Sequence, residues 1–302
     1  MTVVGLEPLL SPEPPPGFEQ LKIAAGFAAD FGPIYGKRER ERVWFGFRVG
    51  ADHMNPRGVA HGGALATFAD MQLAALMRMG RLEAKQSPTI SLSLDFLAPV
   101  QRGDWVEGEI VLVKRTGRLA FSETILTVGG SPVARAKAIF VHSDRGASLD
   151  AARPEPPPTP EPSPPPPPGF EPVDPGPGFG VFFGPIWFRA DPPQLGFRVA
   201  GRHVNLFGLC HGGALATFAD YQIAPLRRAK VVEGPFGATL SLNVDYLGPA
   251  RLGDWIEAES TLVRATGRYL FTQAILSNAG GPVARSTAIY AIAKGEVAKR
   301  DF

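Results

Sequence analysis

A long internal repeat constrains the fold of this 302-residue chain more than any other feature. The residues HGGALATFAD stand at 61–70 and again, unchanged, at 211–220. Moving residues 45–141 by 150 positions onto 195–291 gives 48 identities in 97 positions. Two copies of a unit this long predict one duplicated domain, because a solenoid needs at least three shorter repeats.

The segment between the copies is rich in proline. Eleven of the 15 residues from Pro154 to Pro168 are proline, and this composition favours an extended polyproline helix. We expect a stiff spacer, with a docking segment for an SH3-like partner as the alternative. The chain is therefore divided into a first domain with its lead at 1–150, a linker at 151–170 and a second domain at 171–302.

The composition excludes several classes of protein. Lys and Arg number 31 against 29 Asp and Glu, so the chain lacks the basic field that dominates nucleic-acid binding. A single cysteine, Cys210, excludes an internal disulfide framework and a multi-cysteine metal site. No apolar run is long enough to span a bilayer, and the first residues lack the basic start of a secretory signal. We expect a cytoplasmic protein with no membrane or nucleic-acid partner.

Each unit alternates between polar loops, one apolar helix and several strands. Ile90, Leu92, Leu94 and Phe96 alternate with polar residues, which is typical of a half-buried strand. Later strand candidates are separated by short turns, which favours antiparallel pairing. The unit is predicted to be α+β, with a helix packed against one face of a sheet. The predicted elements of the first copy are a strand at Trp44–Val49, a helix from Gly63 to about Met79, and strands at Thr89–Phe96, 104–115, 118–128 and 132–142.

Two details of the helices are also predicted. The segment that precedes the first predicted strand of each copy is called its lead. The lead of the first copy contains a short helix candidate at Phe18–Phe31. In the second copy Pro225 interrupts the apolar helix, which should kink or end nearby because proline lacks an amide hydrogen and clashes with the preceding turn.

An aspartate stands within each apolar helix, at Asp70 and Asp220. A buried carboxylate costs several kcal/mol unless it is paired or hydrogen-bonded, and no Lys or Arg lies three or four residues away. In the structural alternative, the carboxylate caps a backbone amide elsewhere or reaches solvent at an edge. Because the same costly residue occurs twice, we favour a base or nucleophile that faces a cleft.

The His-Gly-Gly triplets 61–63 and 211–213 directly precede the helices. Free amides in the first turn of a helix attract negative charge, so Gly63 and Gly213 are candidates for an oxyanion hole. A glycine turn needed only for tight entry into the helix is the alternative. Gly63 and Asp70 lie about 10 Å apart along one helix. Two antiparallel helices would instead place Gly63 opposite Asp220 and Gly213 opposite Asp70.

Further polar residues precede the triplets. Asn55 and Asn205 would orient a water or a carbonyl, or else cap their own loops. His53 and His203 are expected to fix the loop rather than to take part in catalysis. Zinc would need three or more protein ligands at suitable spacing, which His53, His61 and Asp70 do not supply, so no metal site is predicted.

The pattern H-x-N-x-x-G-x-x-H-G-G followed seven residues later by Asp, at 53–70 and 203–220, resembles the hotdog-fold thioesterase superfamily. Within it the pattern resembles the phenylacetate-pathway thioesterase-like branch. The stretch SLSLDFLAP at 91–99 and the motif G-D-W-x-E-x-E at 103–109 also fit. The resemblance implies a long central helix wrapped by a curved antiparallel sheet in each unit, and two such sheets joined edge to edge as an intramolecular double hotdog. Relatives more often carry one hotdog per chain.

The resemblance also implies an activity, which is hydrolysis of acyl-CoA thioesters with no cofactor, CoA being part of the substrate. Asp70 or Asp220 would act as nucleophile or general base, opposite the glycine amide of the facing unit. It further implies a homodimer that forms a pseudo-tetramer of hotdogs. The remaining roles implied by matched position are a hydroxyl that assists the water at Thr89 and Thr239, loop orientation and support of the oxyanion site by His61 and His211, and substrate binding by Gly62, Gly212, Arg118 and Arg268.

Two alternatives stay open at this stage. An acyl-thioester hydratase or dehydratase would use an Asp/His pair as base and acid, although its usual sequence pattern is not apparent here. A non-catalytic acyl-CoA-binding protein is the other, and the costly aspartate in both copies argues against it. Both copies keep the Asn, His-Gly-Gly and Asp, so two working sites are predicted. Different acyl preferences are expected, because Leu206-Phe207 replaces Pro56-Arg57 and Pro225 interrupts the second helix.

Overall fold

A computed structural model of the chain describes residues 13–23, 26–82, 88–141, 164–205, 207–233 and 236–293. Two units of the same design follow one another. The first contains β1 (Glu19–Gln20), α1 (Phe27–Asp30), β2 (Tyr35–Glu39), β3 (Arg42–Arg48), α2 (Gly62–Asp70), α3 (Gln72–Arg78), β4 (Thr89–Phe96), β5 (Trp105–Arg115), β6 (Leu119–Val128) and β7 (Ser131–Val141). The second contains β8 (Glu171–Val173), α4 (Phe179–Phe183), β9 (Ile186–Arg189), β10 (Gln194–Arg198), α5 (Gly212–Asp220), α6 (Ile223–Arg228), β11 (Phe236–Tyr246), β12 (Trp255–Ala265), β13 (Tyr269–Asn278) and β14 (Gly281–Ile292).

All fourteen strands form one antiparallel sheet in the order β1-β2-β3-β5-β6-β7-β4-β11-β14-β13-β12-β10-β9-β8. The two halves meet where β4 pairs with β11, from Ser91 opposite Asp245 to Asp95 opposite Ser241. The α+β class and the edge-to-edge joint implied by the resemblance are confirmed. In the first unit β1, β2 and β3 are consecutive neighbours, as are β5, β6 and β7, whereas β4 pairs with β7 and β3 with β5.

The core lies between this sheet and the central helices. Every residue of α2 from Gly63 to Asp70 is buried, because the helix packs on the sheet with one face and on α5 with another. Phe68 stacks on Phe45 with 4.1 Å between the ring centroids. Burial of one such side chain contributes about 2–3 kcal/mol, so the apolar composition of the helix follows from its position.

The two central helices run antiparallel about a pseudo-twofold axis. At their crossing the hydroxyls of Thr67 and Thr217 lie 3.2 Å apart. Thr67 donates to the carbonyl of Gly213, and Thr217 donates to that of Gly63, each at 3.2 Å. The start of each helix therefore lies beside the middle of the other, which is the arrangement that composite sites require.

The long helix predicted from Gly63 to about Met79 is interrupted. α2 ends at Asp70, Met71 has φ −82° and ψ 0°, and α3 begins at Gln72. The second unit breaks at the same place, between Asp220 and Ile223, and Pro225 lies inside α6. Pro225 is not the cause of the break, because the first unit breaks without a proline, and the first turn of a helix tolerates one.

Each lead crosses to the opposite unit. The predicted helix at Phe18–Phe31 is reduced to α1, with β1 before it. The Phe27 amide donates to the carbonyl of Val204 at 3.0 Å, and the Phe179 amide donates to that of Met54 at 2.8 Å. Gly26 precedes Phe27 with φ +82°, and a Cβ there would collide with the Val204 carbonyl. The leads thus belong to the interface between the units.

Other predictions fall partly outside the described residues. The boundaries at 150 and 171 stay a prediction, and residues 151–163 of the expected linker lie outside the described part of the chain. Among the helices that the structure describes, none is long and apolar enough to cross a membrane.

Candidate active site

The crossing of α2 and α5 brings residues of opposite units together at two places, which we call site A and site B. Site A combines Asp70 and Thr89 of the first unit with Asn205, His211 and Gly212 of the second. Site B combines Asp220 and Thr239 with His61, Gly62 and, by the repeat, Asn55.

A threonine of the neighbouring strand holds each aspartate. Thr89 Oγ1 donates to Asp70 Oδ1 at 2.7 Å, and Thr239 Oγ1 donates to Asp220 Oδ1 at 2.9 Å. Burial raises the pKa of Asp220, and its neighbours His61 and Thr239 and the Gly63 amide partly oppose this rise. A carboxylate with a raised pKa is a stronger base than an exposed aspartate.

The second oxygen of each aspartate faces the first glycine of the opposite helix. A Cβ on Gly62 would lie 2.6 Å from Asp220 Oδ2, and one on Gly212 would lie 2.6 Å from Asp70 Oδ2. Helix geometry gives this first residue no intrahelical acceptor for its amide. By contrast, the Gly63 and Gly213 amides each donate to the preceding histidine at 2.9 Å.

This geometry adds a neighbouring glycine to each predicted oxyanion donor. Gly63 and Gly213 are the predicted oxyanion donors; a Cβ on Gly63 would meet Thr217, while its amide acts on the carboxylate of Asp220. The cavity of site A is lined by Gly212 and not by Gly213. Gly62 and Gly212, predicted as substrate-binding, are further candidates for the oxyanion role beside Gly63 and Gly213.

The triplet histidines are helix caps. His61 has extended backbone, and its Nδ1 accepts the Gly63 amide, as His211 Nδ1 accepts that of Gly213. Burial lowers the pKa of both histidines. Both are thus neutral with the proton on Nε2. Nδ1 of His211 lies 3.3 Å from Asp70 Oδ2, and Nδ1 of His61 lies 3.6 Å from Asp220 Oδ2.

The loops before the caps are fixed internally. Asn55 Oδ1 accepts the amides of Arg57 and Val59, and Asn205 Oδ1 accepts those of Phe207 and Leu209. The loop-capping alternative therefore describes the oxygen of each asparagine. The Nδ2 group is the part that would reach a ligand, and Asn205 does line the site A cavity.

The outer histidines also fix their loops. The His53 ring accepts the Gly50 amide at Nδ1 and lies 2.7 Å from the Phe31 carbonyl through Nε2. His203 makes the same pair of contacts with Ala200 and Phe183. Burial lowers the pKa of His203 to about 4. These contacts support the expected structural role.

Site A opens into a cavity of about 550 Å³. Asp70, Thr89, Asn205, His211 and Gly212 line it. Its other walls are mainly apolar and come from both units, with one further charged side chain: Leu21, Ile23, Ala28, Ile34, Met71, Leu73, Met77, Arg78, Phe140, Phe207, Leu209, Leu215 and Leu247. A volume of this size accommodates a small organic ligand.

The leads contribute to both sites, although no residue of theirs was among the predicted site residues. Phe27 of α1 packs on His211 with 5.8 Å between the ring centroids, and Phe179 of α4 packs on His61 at 5.4 Å. The repeats PPPGFE at 14–19 and 166–171 were the available signal that each lead belongs to its unit. The leads cover the histidine caps and supply part of the cavity wall.

The turn arginines stand apart from the cavity. Arg118 and Arg268 are exposed in the turns β5–β6 and β12–β13, where Thr116 and Thr266 accept their backbone amides. Arg118 and Arg268 do not line the cavity of site A, whereas Arg78 does. A part in binding CoA stays a prediction for both turn residues. Within the described residues, no three His, Cys, Asp or Glu side chains are grouped to hold a metal ion.

The matches to known proteins fall in the same two units. The sequence model of the thioesterase superfamily matches residues 57–132 and 207–284, just over half of the chain. Both matched segments contain the cap, the central helix and the aspartate of one unit.

Curated relatives match one unit at a time. The chain is 32% identical over 127 residues to a candidate esterase of Pseudomonas aeruginosa, covering 42% of this chain and 95% of the relative. It is 30% identical over 81 residues to human acyl-coenzyme A thioesterase 13, covering 27% of this chain and 57% of the relative.

Solved structures match both units together. A hot dog fold protein from Alicyclobacillus acidocaldarius has a TM-score of 0.62 at 17% identity, covering 90% of this chain and 98% of its own. An acyl-CoA thioesterase II from Mycobacterium marinum has a TM-score of 0.56 at 16% identity, covering 90% and 99%. At this identity the likeness shows the fold alone.

Proposed function

Because the chain belongs to the thioesterase superfamily and is a thioester hydrolase, we propose that it hydrolyses acyl-CoA thioesters at both composite sites. One observation carries the proposal. In site A the carboxylate of Asp70 faces the first-turn glycine of α5, Gly212, within a largely apolar cavity of about 550 Å³. A base or nucleophile, an amide donor and an acyl pocket are thereby brought together.

The first step that we propose is polarisation of the thioester carbonyl. The amide of Gly212 at site A, or of Gly62 at site B, donates to the carbonyl oxygen and stabilises the negative charge that develops on it. The partial positive charge of the helix N-terminus adds to this effect. The histidine caps hold the glycine turn in place, and Gly63 and Gly213 support it through their bonds to these caps.

The carboxylate completes the reaction by one of two routes. As a general base, Asp70 or Asp220 takes a proton from water while the water oxygen bonds to the carbonyl carbon. As a nucleophile, the carboxylate attacks the carbon itself, and water then cleaves the resulting anhydride. In both routes the carbon–sulfur bond breaks and CoA leaves as a thiolate that takes up a proton. Thr89 and Thr239 hold the carboxylates, and Asn55 and Asn205 orient the water or the thioester.

Substrate binding divides between an apolar and a charged part. The apolar walls of the site A cavity suit a hydrocarbon acyl group. Arg78, which lines the same cavity, would pair with the phosphates of CoA, and Arg118 and Arg268 are the further candidates on the sheet turns. No separate cofactor enters this scheme, because CoA is part of the substrate.

The chain is also proposed to form a homodimer and to act in the cytoplasm. Val111, Val113 and Val263 are exposed on strands β5 and β12, and covering these side chains would remove apolar surface from water. Sedimentation velocity tests the assembly, with a dimer expected and a monomer at all concentrations contradicting it.

An acyl-thioester hydratase finds less support. That chemistry needs a histidine and an aspartate that exchange protons with the substrate. Here Nδ1 of each triplet histidine accepts a backbone amide, so this nitrogen is occupied in capping the helix.

Thiol release from a panel of acyl-CoA esters tests the proposal. The panel contains short, medium and long chains, phenylacetyl-CoA and hydroxybenzoyl-CoA. Asp70→Asn and Asp220→Asn should each remove one site, and the double variant should lose activity about 1000-fold or more. Asp95→Asn removes a partly exposed carboxylate of the sheet that pairs with Arg135, and it is the matched control.

The outcomes separate the hypotheses. Partial activity in each single variant with none in the double variant supports two working sites. If esters bind to the wild-type chain and none is cleaved, the hydrolase proposal is wrong and a binding protein takes its place. Full activity in the double variant would exclude the aspartates from the reaction.

A further inference from the structure

The residue after each aspartate differs between the sites. Met71 follows Asp70, is buried and lines the cavity of site A. Tyr221 takes the same place after Asp220 in a stretch where the preceding ten residues are identical. The duplication has therefore kept the reacting groups and changed their neighbour.

Tyr221 lies against the histidine cap of site B and next to Asp220. Its ring centroid is 5.0 Å from that of His61, which caps the glycine turn of the opposite unit. It also contacts Phe183 edge-on at 6.3 Å. The charge of Asp220 acts on its hydroxyl. The side chain thus lies at site B in the position that Met71 takes at site A.

The Tyr221 hydroxyl is buried and has no hydrogen-bond partner within the described part of the chain. Burial and the nearby Asp220 raise the pKa of this hydroxyl. It therefore stays protonated at neutral pH and can both donate and accept a hydrogen bond. A buried hydroxyl without a partner is unfavourable, whereas a methionine at this place would not be.

The loops at the two sites change in the same direction. Phe207 stands in the site A loop and lines its cavity. Arg57 stands at the equivalent position of the site B loop and donates to the Gly237 carbonyl at 2.6 Å. Site B thus has an arginine and a tyrosine where site A has a phenylalanine and a methionine.

We propose that site B accepts acyl groups that carry a hydroxyl or carbonyl oxygen bound by Tyr221, whereas site A accepts plain hydrocarbon acyl groups. This specialisation rests on the proposed function, because it assigns substrates to the same reaction. Tyr221 acts as a specificity residue. Its hydrogen bond favours the oxygenated acyl group, and a plain chain leaves the hydroxyl unpaired.

The test measures each site in isolation. Asp70→Asn leaves site B working, and Asp220→Asn leaves site A working. Each enzyme is given matched pairs of esters: phenylacetyl-CoA with 4-hydroxyphenylacetyl-CoA, and octanoyl-CoA with octanoyl-CoA hydroxylated at carbon 3, 5 or 8. The readout is the ratio of kcat/KM for the hydroxylated ester to that for the plain ester.

We expect a ratio of about 10 or more for at least one pair at site B, and a ratio of 1 or less for every pair at site A. In the Asp70→Asn background, Tyr221→Phe should lower the site B ratio about 10-fold. Tyr35→Phe makes the same chemical change to a ring packed on Trp105 and should leave the ratio unchanged. Tyr221→Met, which copies the residue of site A, repeats the test if Tyr221→Phe folds poorly, as judged by thermal denaturation.

The inference is overturned if no pair is better discriminated by site B than by site A, or if the ratio survives the loss of the Tyr221 hydroxyl. It is also overturned if Asp70→Asn cleaves no ester while Asp220→Asn remains active, an outcome that leaves thioester hydrolysis at site A intact. Absence of any cleavage by the wild-type chain would instead contradict the proposed function.

Discussion

Sites A and B have the same arrangement of aspartate, threonine, histidine and glycine, and they differ in the residues around it. In each, an aspartate held by a threonine faces the first glycine of a histidine-capped helix, and the distances agree within about 0.3 Å between the sites. The walls differ, with Met71 and Phe207 at site A and Tyr221 and Arg57 at site B. Groups that react need fixed geometry, whereas residues that touch only the variable part of a substrate are free to change.

The difference extends to the strand behind the glycine turn. Tyr246 donates to the carbonyl of Gly212 at 3.0 Å in site A. Its counterpart in the first unit is Phe96, which has no hydroxyl. The glycine turn at site A thus has a support that phenylalanine does not provide at site B.

The largest expected effect comes from combining variants across the units. If the sites are composite, Gly62→Ala disables site B and Gly212→Ala disables site A, because the added methyl group meets the facing carboxylate. In the Asp70→Asn background, Gly62→Ala should therefore remove the remaining activity, about 1000-fold or more. Gly212→Ala in the same background should change it little, since both substitutions fall in site A.

Initial rates of thiol release for the two double variants provide the measurement. Gly117→Ala, where an added methyl group has no atom within 4 Å, is the control for glycine substitution. Equal losses in the two double variants would contradict composite sites.

A smaller effect is expected on the pH dependence of stability, through the buried loop histidine His203. Unfolded His203 has its ordinary pKa near 6.5, while the folded value is about 4. Between these values the unfolded state binds a proton that the folded state does not bind. The free energy of unfolding should therefore fall by about 3 kcal/mol from this residue as pH drops from 6.5 to 4.

Urea unfolding at several pH values measures that slope. His203→Gln should be less stable than the wild type at pH 7, because it loses ring packing, and should lose less stability on acidification. An unchanged slope in His203→Gln would show that His203 does not account for it.

The smallest effect concerns the pH profile of site B. The Thr239 hydroxyl lowers the pKa of Asp220, against the rise caused by burial. In the Asp70→Asn background, Thr239→Val should raise this pKa further and move the acid limb of kcat/KM to higher pH, because the carboxylate must be ionised to react. Activity at low pH should fall about 10-fold.

Thr89→Val in the same background alters only the disabled site, so it serves as the comparison for this pH profile. A profile that moves to lower pH in Thr239→Val, or equally in both variants, would contradict the role of the hydroxyl.

Much of the fold follows from local pattern. Strand β4 was predicted at its observed bounds, Thr89–Phe96, because alternating burial is a property of single residues. The lead strand β2 was missed, since its sequence YGKRE has little apolar alternation and is held by pairing with β3. The break at Met71 was missed as well, because the apolar pattern continues through it.

The candidate site was also predictable only in part. Asp70 and Asp220 could be selected from their improbable place in an apolar helix, and the antiparallel pairing of the helices followed from the distance between glycine and aspartate. Which glycine faces the carboxylate depends on where the histidine ring folds back, and sequence spacing does not contain that information. Tyr221 was read only as a helix residue, since its unpaired hydroxyl appears only when the opposite unit is in place.

The pairing of β4 with β11 within one chain also determines how activity responds to dilution of the protein. Two separate chains that shared a site would lose it as they dissociate, whereas units within one polypeptide meet at an effective concentration set by their tether. Specific activity per chain should then be independent of protein concentration down to the lowest assayable level. One polypeptide also fixes a one-to-one ratio of unlike halves, which a pair of identical chains cannot provide.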